Sequence, residues 1–297
     1  MSNHKEQRGF LTIARNSETT DYLKLAYVQA MSVKLTQRNN KFALLADKET
    51  LSKITDVHEK VFDYIIEFDD NSLFDPTTDF KFYNDHSAIR LTPFKETIKL
   101  ESDLLLTRSI DHWIYGLRRT TNIYFPTDIV NYRGERVRDP LSRHIFEKNK
   151  LPNVYSGFMY YRFTKELVEF YEVINEIVQN WNEVKTCYYG IDEEYPSNDV
   201  LYAIACQLYG VEKTTVPTLS VNYNFMHGKP SVHGIGTEEN LYDTLFIEFD
   251  APDIRIGGIT QLAPVHYYTK SVITDEVIEQ YERKLDKKLS SKTRRKR

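Results

Sequence analysis

The chain has 297 residues and a formal charge of −4, but residues 283–297 hold nine Lys/Arg against one acid, so the 30 bases and 42 acids of residues 1–282 form an acidic body ahead of a short basic tail. A hydrophobic fraction of 41% with 13% aromatics excludes a disordered chain, and no run approaches the ~20 apolar residues of a membrane span. Two cysteines, Cys187 and Cys206, make neither a disulfide framework nor a CxxC metal site, and there is no GxGxxG or GxxxxGK[ST] loop to anchor a dehydrogenase or P-loop ATPase reading. The polar stretch from Met1 to Phe10 predicts no secretory leader and, with the free cysteines, a cytoplasmic setting.

The first half alternates strand-like and helix-like segments. Residues 10–14 are an apolar run read as a buried strand ending at Arg15-Asn16-Ser17. Thr20 or Asp21 caps a helix whose Leu23, Ala26, Tyr27, Ala30, Met31 and Lys34 recur at three-to-four spacing. A second strand over 42–46, a helix over 48–60 and a third strand over 62–68 follow. This β-α-β-α-β order predicts an α/β fold with a mostly parallel sheet and helices on both faces. Further strands are expected over 97–101 and 122–125, with a short helix over 110–117 between them. Residues 126–152 read as a long charged loop with Arg133, Arg136, Arg138 and Arg143. A helix over 163–181 shows one apolar stripe, Asn198 caps a helix over 200–209 ended by Gly210, and a last helix starts at Thr274. No repeat or linker is visible. The expected organisation is one domain, 1–289, with a flexible basic tail, 290–297.

The segment richest in chemistry is 91–103. Glu101 and Asp103 stand one residue apart where an apolar strand ends, so an extended chain turns both carboxylates to one side. In open α/β sheets that side is the ligand crevice. Hard oxygen ligands suit Mg²⁺ or Mn²⁺ that also holds a diphosphate. Acid-x-acid at a strand end is also a common solvated arrangement.

Here the chain resembles the GT-A fold nucleotide-sugar transferases, and within them the glycogenin-like, family 8 type. That family leads an L-T-x-aromatic stretch into a strand ending in D-x-D, which Leu91-Thr92-Pro93-Phe94 and Leu100-Glu101-Ser102-Asp103 match, with Glu101 replacing the first Asp. The resemblance implies a Rossmann-like GT-A sheet. It also implies that Asp103, Glu101 and Ser102 serve metal and nucleotide. Ala14-Arg15-Asn16 and Tyr22 resemble the uridine-binding start, where an aromatic ring stacks on the base. Asn153 with Ser156-Gly157 resembles the N-[AS]-G segment lining the sugar site. Ser197-Asn198-Asp199 stands where the family has D-Q-D, which places Asp199 toward the transferred sugar. His266 to Lys270 resembles the late His-x-x-G-x-K segment, in which His is the third metal ligand and Lys binds diphosphate; the glycine is missing here. His227-Gly228-Lys229-Pro230 competes for that role.

The implied activity is metal-dependent transfer of a hexose, or a pentose such as arabinose, from a UDP-sugar to a hydroxyl. The resemblance implies retention; Asp199, Asp192, Glu193 or Glu194 as general base would instead give inversion. The chain's texture also resembles glycosyltransferases of large tailed phages, several of which modify hydroxymethylcytosine in their own DNA. Arg118-Arg119, the arginine loop and the tail are the groups expected to meet phosphates of double-stranded DNA. The alternatives are transfer to a surface glycan or lipopolysaccharide, and a catalytically degenerate GT-A binding module.

Overall fold

The computed structural model describes residues 6–67, 86, 88–137, 143–215, 224–236 and 240–294. In chain order its strands are β1 (Glu6–Ala14), β2 (Phe42–Ala46), β3 (Tyr64–Glu67), β4 (Phe94–Leu100), β5 (Leu104–Leu105), β6 (Ile123–Tyr124), β7 (Ile129–Val130), β8 (Arg136–Val137), β9 (Phe158–Arg162), β10 (Phe225–His227), β11 (Ile247–Asp250), β12 (Asp253–Ile256), β13 (Ile259–Thr260) and β14 (Val265–His266). They form a six-stranded sheet ordered β3-β2-β1-β4-β9-β6, a five-stranded sheet ordered β5-β14-β10-β7-β8, and a small antiparallel sheet β11-β12-β13.

The predicted β-α-β-α-β start is present, and β1, β2, β3 and β4 run parallel. The antiparallel strand β9 then enters beside β4, so the sheet is mixed. Strand β1 is apolar in its second half, except for Thr12, whose buried hydroxyl donates to Leu100 O at 2.9 Å, because both of its faces are covered. Phe10 and Ala14 pack with the helix Tyr22–Thr36, while Leu11 and Ile13 enter a second core with Ala43, Leu45 and Phe94. A third core joins Met159 and Tyr161 of β9 to the helices Lys165–Gln179 and Asn198–Tyr209. A sheet buried on both faces needs continuous apolar strands rather than alternating ones.

Several boundaries differ from the sequence expectation. Residues 48–60 form two single turns, Lys48–Leu51 and Asp56–Glu59, because each carries its own cap. Strand β4 starts at Phe94 and stops at Leu100, before Glu101. The 126–152 stretch holds the β7–β8 hairpin and a turn of helix, His144–Lys148. Ser197, not Asn198, caps the helix Asn198–Tyr209 by accepting from Val200 N. Phe68 and Arg138 lie outside the described residues.

The last helix, Asp275–Arg294, continues past residue 289, where the sequence predicts a tail. It lies along the helix Tyr22–Thr36. Lys24 pairs with Asp275 at 2.9 Å and Tyr27 donates to Glu282 at 3.0 Å. Lys288 donates to the carbonyls of Lys34 and Leu35, the end of the earlier helix, where a cation complements the dipole. No helix among the described residues is long and apolar enough to cross a membrane.

Candidate metal centre and substrate cleft

Glu101 and Asp103 do not meet as an extended pair. The chain leaves β4 in a turn closed by Leu104 N donating to Glu101 O at 3.0 Å, and the two carboxylates converge across that turn. Buried Gln29 fixes it from the helix below, donating its amide to Leu104 O at 2.7 Å and also to Glu101 O. Strand β5 follows at once and pairs antiparallel with β14, which sets His266 opposite Leu104. His266 Nε2 thus lies 3.0 Å from Asp103 Oδ1 and 3.2 Å from Glu101 Oε2. Lys270, one turn further on, reaches Asp103 Oδ2.

The electrostatics follow from this packing. Burial would raise the Asp103 carboxyl, but the charges of His266 and Lys270 outweigh it and hold Asp103 well below the usual carboxylate range. Burial would lower His266; Asp103 and then Glu101 reverse this and raise the imidazole to about 10. Its Nδ1 is buried without a hydrogen-bond partner among the described residues. One ligand atom from each of Glu101, Asp103 and His266 lies within 4.8 Å of the others, the grouping that a divalent cation needs. A mixed oxygen and imidazole set suits Mn²⁺ better than Mg²⁺, which prefers oxygen alone.

The competing histidine is close by. Strands β10 and β14 are parallel neighbours in register, so His227 stands beside His266, with ring centroids 4.8 Å apart. Burial, and then the His266 charge, push His227 well below its usual value, so it stays neutral. It is not part of the carboxylate cluster. Gly228 is held there by its N–H on His266 O at 2.7 Å. A Cβ at Gly228 would stand 2.7 Å from the Tyr242 hydroxyl and 2.8 Å from the Tyr268 backbone nitrogen. Gly228→Ala is therefore expected to cost about 1–3 kcal/mol, read as a lower midpoint in urea unfolding at unchanged slope.

Two cavities meet at Glu101 and Asn198. The smaller, about 190 Å³, is lined by Ile13, Tyr22, Ser102 and Asp103. The larger, about 520 Å³, is lined by Tyr155, Ser156, Gly157, Asp199, Phe225, His227 and His266. Gly157 belongs there because a Cβ would come within 3.3 Å of the Phe225 ring and 3.4 Å of His266 Nδ1. Asp199 is ionised and held: Ser156 N donates to its Oδ1 at 2.8 Å, and Arg143 pairs with its Oδ2. Burial would raise Asp199, and Arg143 with Ser156 brings it below the usual range.

Six of the residues expected from the sequence, Glu101, Asp103, His266, Ser156, Gly157 and Asp199, therefore stand around one cleft, with Lys270 on Asp103 and with Tyr22 and Ser102 on its smaller arm. Ala14, Arg15 and Asn16 line neither cavity. Ala14 ends β1, Arg15 pairs with Asp47 at 3.3 Å, and Asn16 accepts from Leu23 N at 2.9 Å at the first turn of the helix. Arg143 does not stand in a solvated arginine loop. It is buried, with its guanidinium 3.8 Å from the Tyr155 ring centroid and 4.7 Å from that of Phe146. Arg118 pairs with buried Glu96 at 3.1 Å. Gln29 and Arg143 were missed as site residues. A glutamine inside an apolar helix run is the signal for the first, and no sequence signal turns the second inward.

No protein-family model matches the chain, and no curated protein is similar to it in sequence. Solved structures are similar in fold. The galactosyltransferase LgtC, solved in complex with donor and acceptor sugar analogs, superposes with a TM-score of 0.52 at 10% identity, over 94% of this chain and 95% of that one. The glycosyltransferase GlyE of Streptococcus pneumoniae TIGR4 gives 0.55 at 11% identity over 97% of this chain, which spans 64% of GlyE. Mixed sheet, flanking helices and these neighbours together make the architecture a GT-A fold.

Proposed function

We propose that the protein is a metal-dependent glycosyltransferase that moves a sugar from a UDP-sugar to a hydroxyl acceptor. The observation that carries this reading is the convergence of Glu101, Asp103 and His266, with Lys270 on Asp103, at the junction of two cavities in a GT-A fold. A divalent cation held by those three residues would supply charge neutralisation for a departing diphosphate. Lys270 adds a fixed positive charge on the same side. Tyr22 offers a ring to the base from the smaller cavity, and Gly157 leaves room for the donor to approach. Asp199 has both oxygens engaged and a depressed pKa, which suits accepting hydrogen bonds from sugar hydroxyls and works against proton abstraction. Glu193 also lines the large cavity and is the acid available as a base if the reaction inverts.

For the acceptor we carry forward hydroxymethylcytosine in DNA as the first to test. Its support is the basic residues of 283–297 other than Lys284, paired with Asp250, and Lys288, on the Lys34 and Leu35 carbonyls, together with Arg119 and Arg133, since Arg143 is buried and Arg118 and Arg136 sit against Glu96 and Asp128. The test is mass spectrometry after incubation with Mn²⁺, a panel of UDP-sugars, and either hydroxymethylcytosine DNA or glycan acceptors. The expected result is one sugar mass added to the DNA and UDP released only with metal. Transfer to a glycan and never to DNA refutes the acceptor. No metal-dependent UDP release with any donor refutes the enzyme.

A further inference from the structure

Glu101 stands where the resembled family has the shorter aspartate. Its two carboxylate oxygens do different things. Oε2 faces His266 Nε2 at 3.2 Å, whereas Oε1 accepts a hydrogen bond from Ser156 Oγ at 3.1 Å. Ser156 is itself buried and fixed through its backbone, its N–H donating to Asp199 Oδ1 at 2.8 Å. The other oxygen of Asp199 is taken by Arg143, which also donates to Val154 O at 2.7 Å and lies against the rings of Tyr155 and Phe146. Glu101 N closes the ring by donating to Gly157 O at 3.0 Å.

We propose that Ser156 is a positioning residue that makes Glu101 a competent metal ligand, and that Arg143 and Asp199 hold it in place. The inference rests on the metal reading of the Glu101-Asp103-His266 cluster. Glutamate has one more rotatable bond than aspartate and loses more rotamer freedom when fixed. A hydroxyl on Oε1 removes that freedom beforehand and leaves Oε2 pointing at the metal position. Partners of this kind around a metal ligand change affinity by about 10–100-fold when removed. The same chain of bonds connects the wall of the large cavity to the metal position, so Asp199 and Glu101 cannot shift independently.

The test is Mn²⁺ titration by calorimetry on the metal-free protein, with four variants in a cycle: wild type, Ser156→Ala, Glu101→Asp and the double substitution. Ser156→Ala is expected to weaken Mn²⁺ about 10-fold or more at an unchanged thermal midpoint. Glu101→Asp no longer reaches the hydroxyl, so adding Ser156→Ala to it should cost nothing further. Equal Mn²⁺ affinity in wild type and Ser156→Ala, or losses that simply add, would overturn the proposal. If Ser156→Ala does not fold, Asp199→Asn, which puts a neutral amide against Arg143, should weaken Mn²⁺ by a similar factor; unchanged affinity there also overturns it. A wild type that binds no Mn²⁺ at all would instead overturn the metal reading, and this proposal with it.

Discussion

Asp103→Asn should lower metal-dependent UDP release by about a thousand-fold or more, at a protein concentration where wild type turns over freely. The substitution keeps the shape and removes one charge. Asp103 is the residue on which both cations of the site converge, with His266 on Oδ1 and Lys270 on Oδ2. Without its charge the main influence raising His266 is gone, and burial returns that imidazole toward neutrality. Lys270 loses its carboxylate partner, so the positive charge proposed to meet the diphosphate is no longer fixed. The measurement is initial rate at saturating Mn²⁺, with circular dichroism to show that the fold survives. A folded Asp103→Asn protein with wild-type turnover would end the assignment of this site.

Mn²⁺ affinity should rise steeply with pH, by about 100-fold between pH 6 and pH 8. The sign comes from His266. Without metal its folded-state pKa is raised to about 10, so at neutral pH Nε2 carries the proton that bridges it to Asp103 and Glu101. A metal ligand must be the neutral imidazole, so binding expels that proton, and each pH unit below about 10 costs close to a factor of ten. Asp103 contributes no counter-trend in this window, because it stays ionised throughout. For the metal-free protein the linkage has the opposite direction. The same ion pair stabilises the fold fully below the unfolded-state pKa of histidine, about 6.5, and that stabilisation is lost as pH rises through about 10. Calorimetry in two buffers of different ionisation enthalpy should report about one proton released per Mn²⁺. A pH-independent affinity would mean that His266 is not a ligand.

Much of this site could be read in the sequence because its parts are local. An acid-x-acid after an apolar strand, a histidine after a second apolar run and a lysine four residues on are short-range patterns. Their register is set by strand ends. The way Glu101 and Asp103 meet was not legible, since the turn depends on Gln29, more than seventy residues earlier, and on the pairing of β5 with β14. Apart from the apolar lead into His266, the second sheet is invisible in the sequence for a different reason. Strands of two or three residues are too short to show a period, and β5, β7, β8, β10 and β14 are all of that length. Arg143 reads as a solvated loop cation because only Phe146 of its surroundings lies nearby in the chain; Tyr155 and Asp199, which complete its enclosure, arrive from other segments.

The order of the five-stranded sheet also bears on how the molecule is made. β14 comes last of its five strands in the chain, yet it sits between β5 and β10. During synthesis the ribosome releases Glu101 and Asp103 long before His266 and Lys270. Until then the two carboxylates have no cation, and β5 and β10 have open edges where β14 will pair. The parallel start of the six-stranded sheet can assemble early, but the metal position cannot exist in any nascent chain that stops short of β14. Closure by a strand distant in sequence is a slow step in folding, so metal affinity should appear only after β14 has docked.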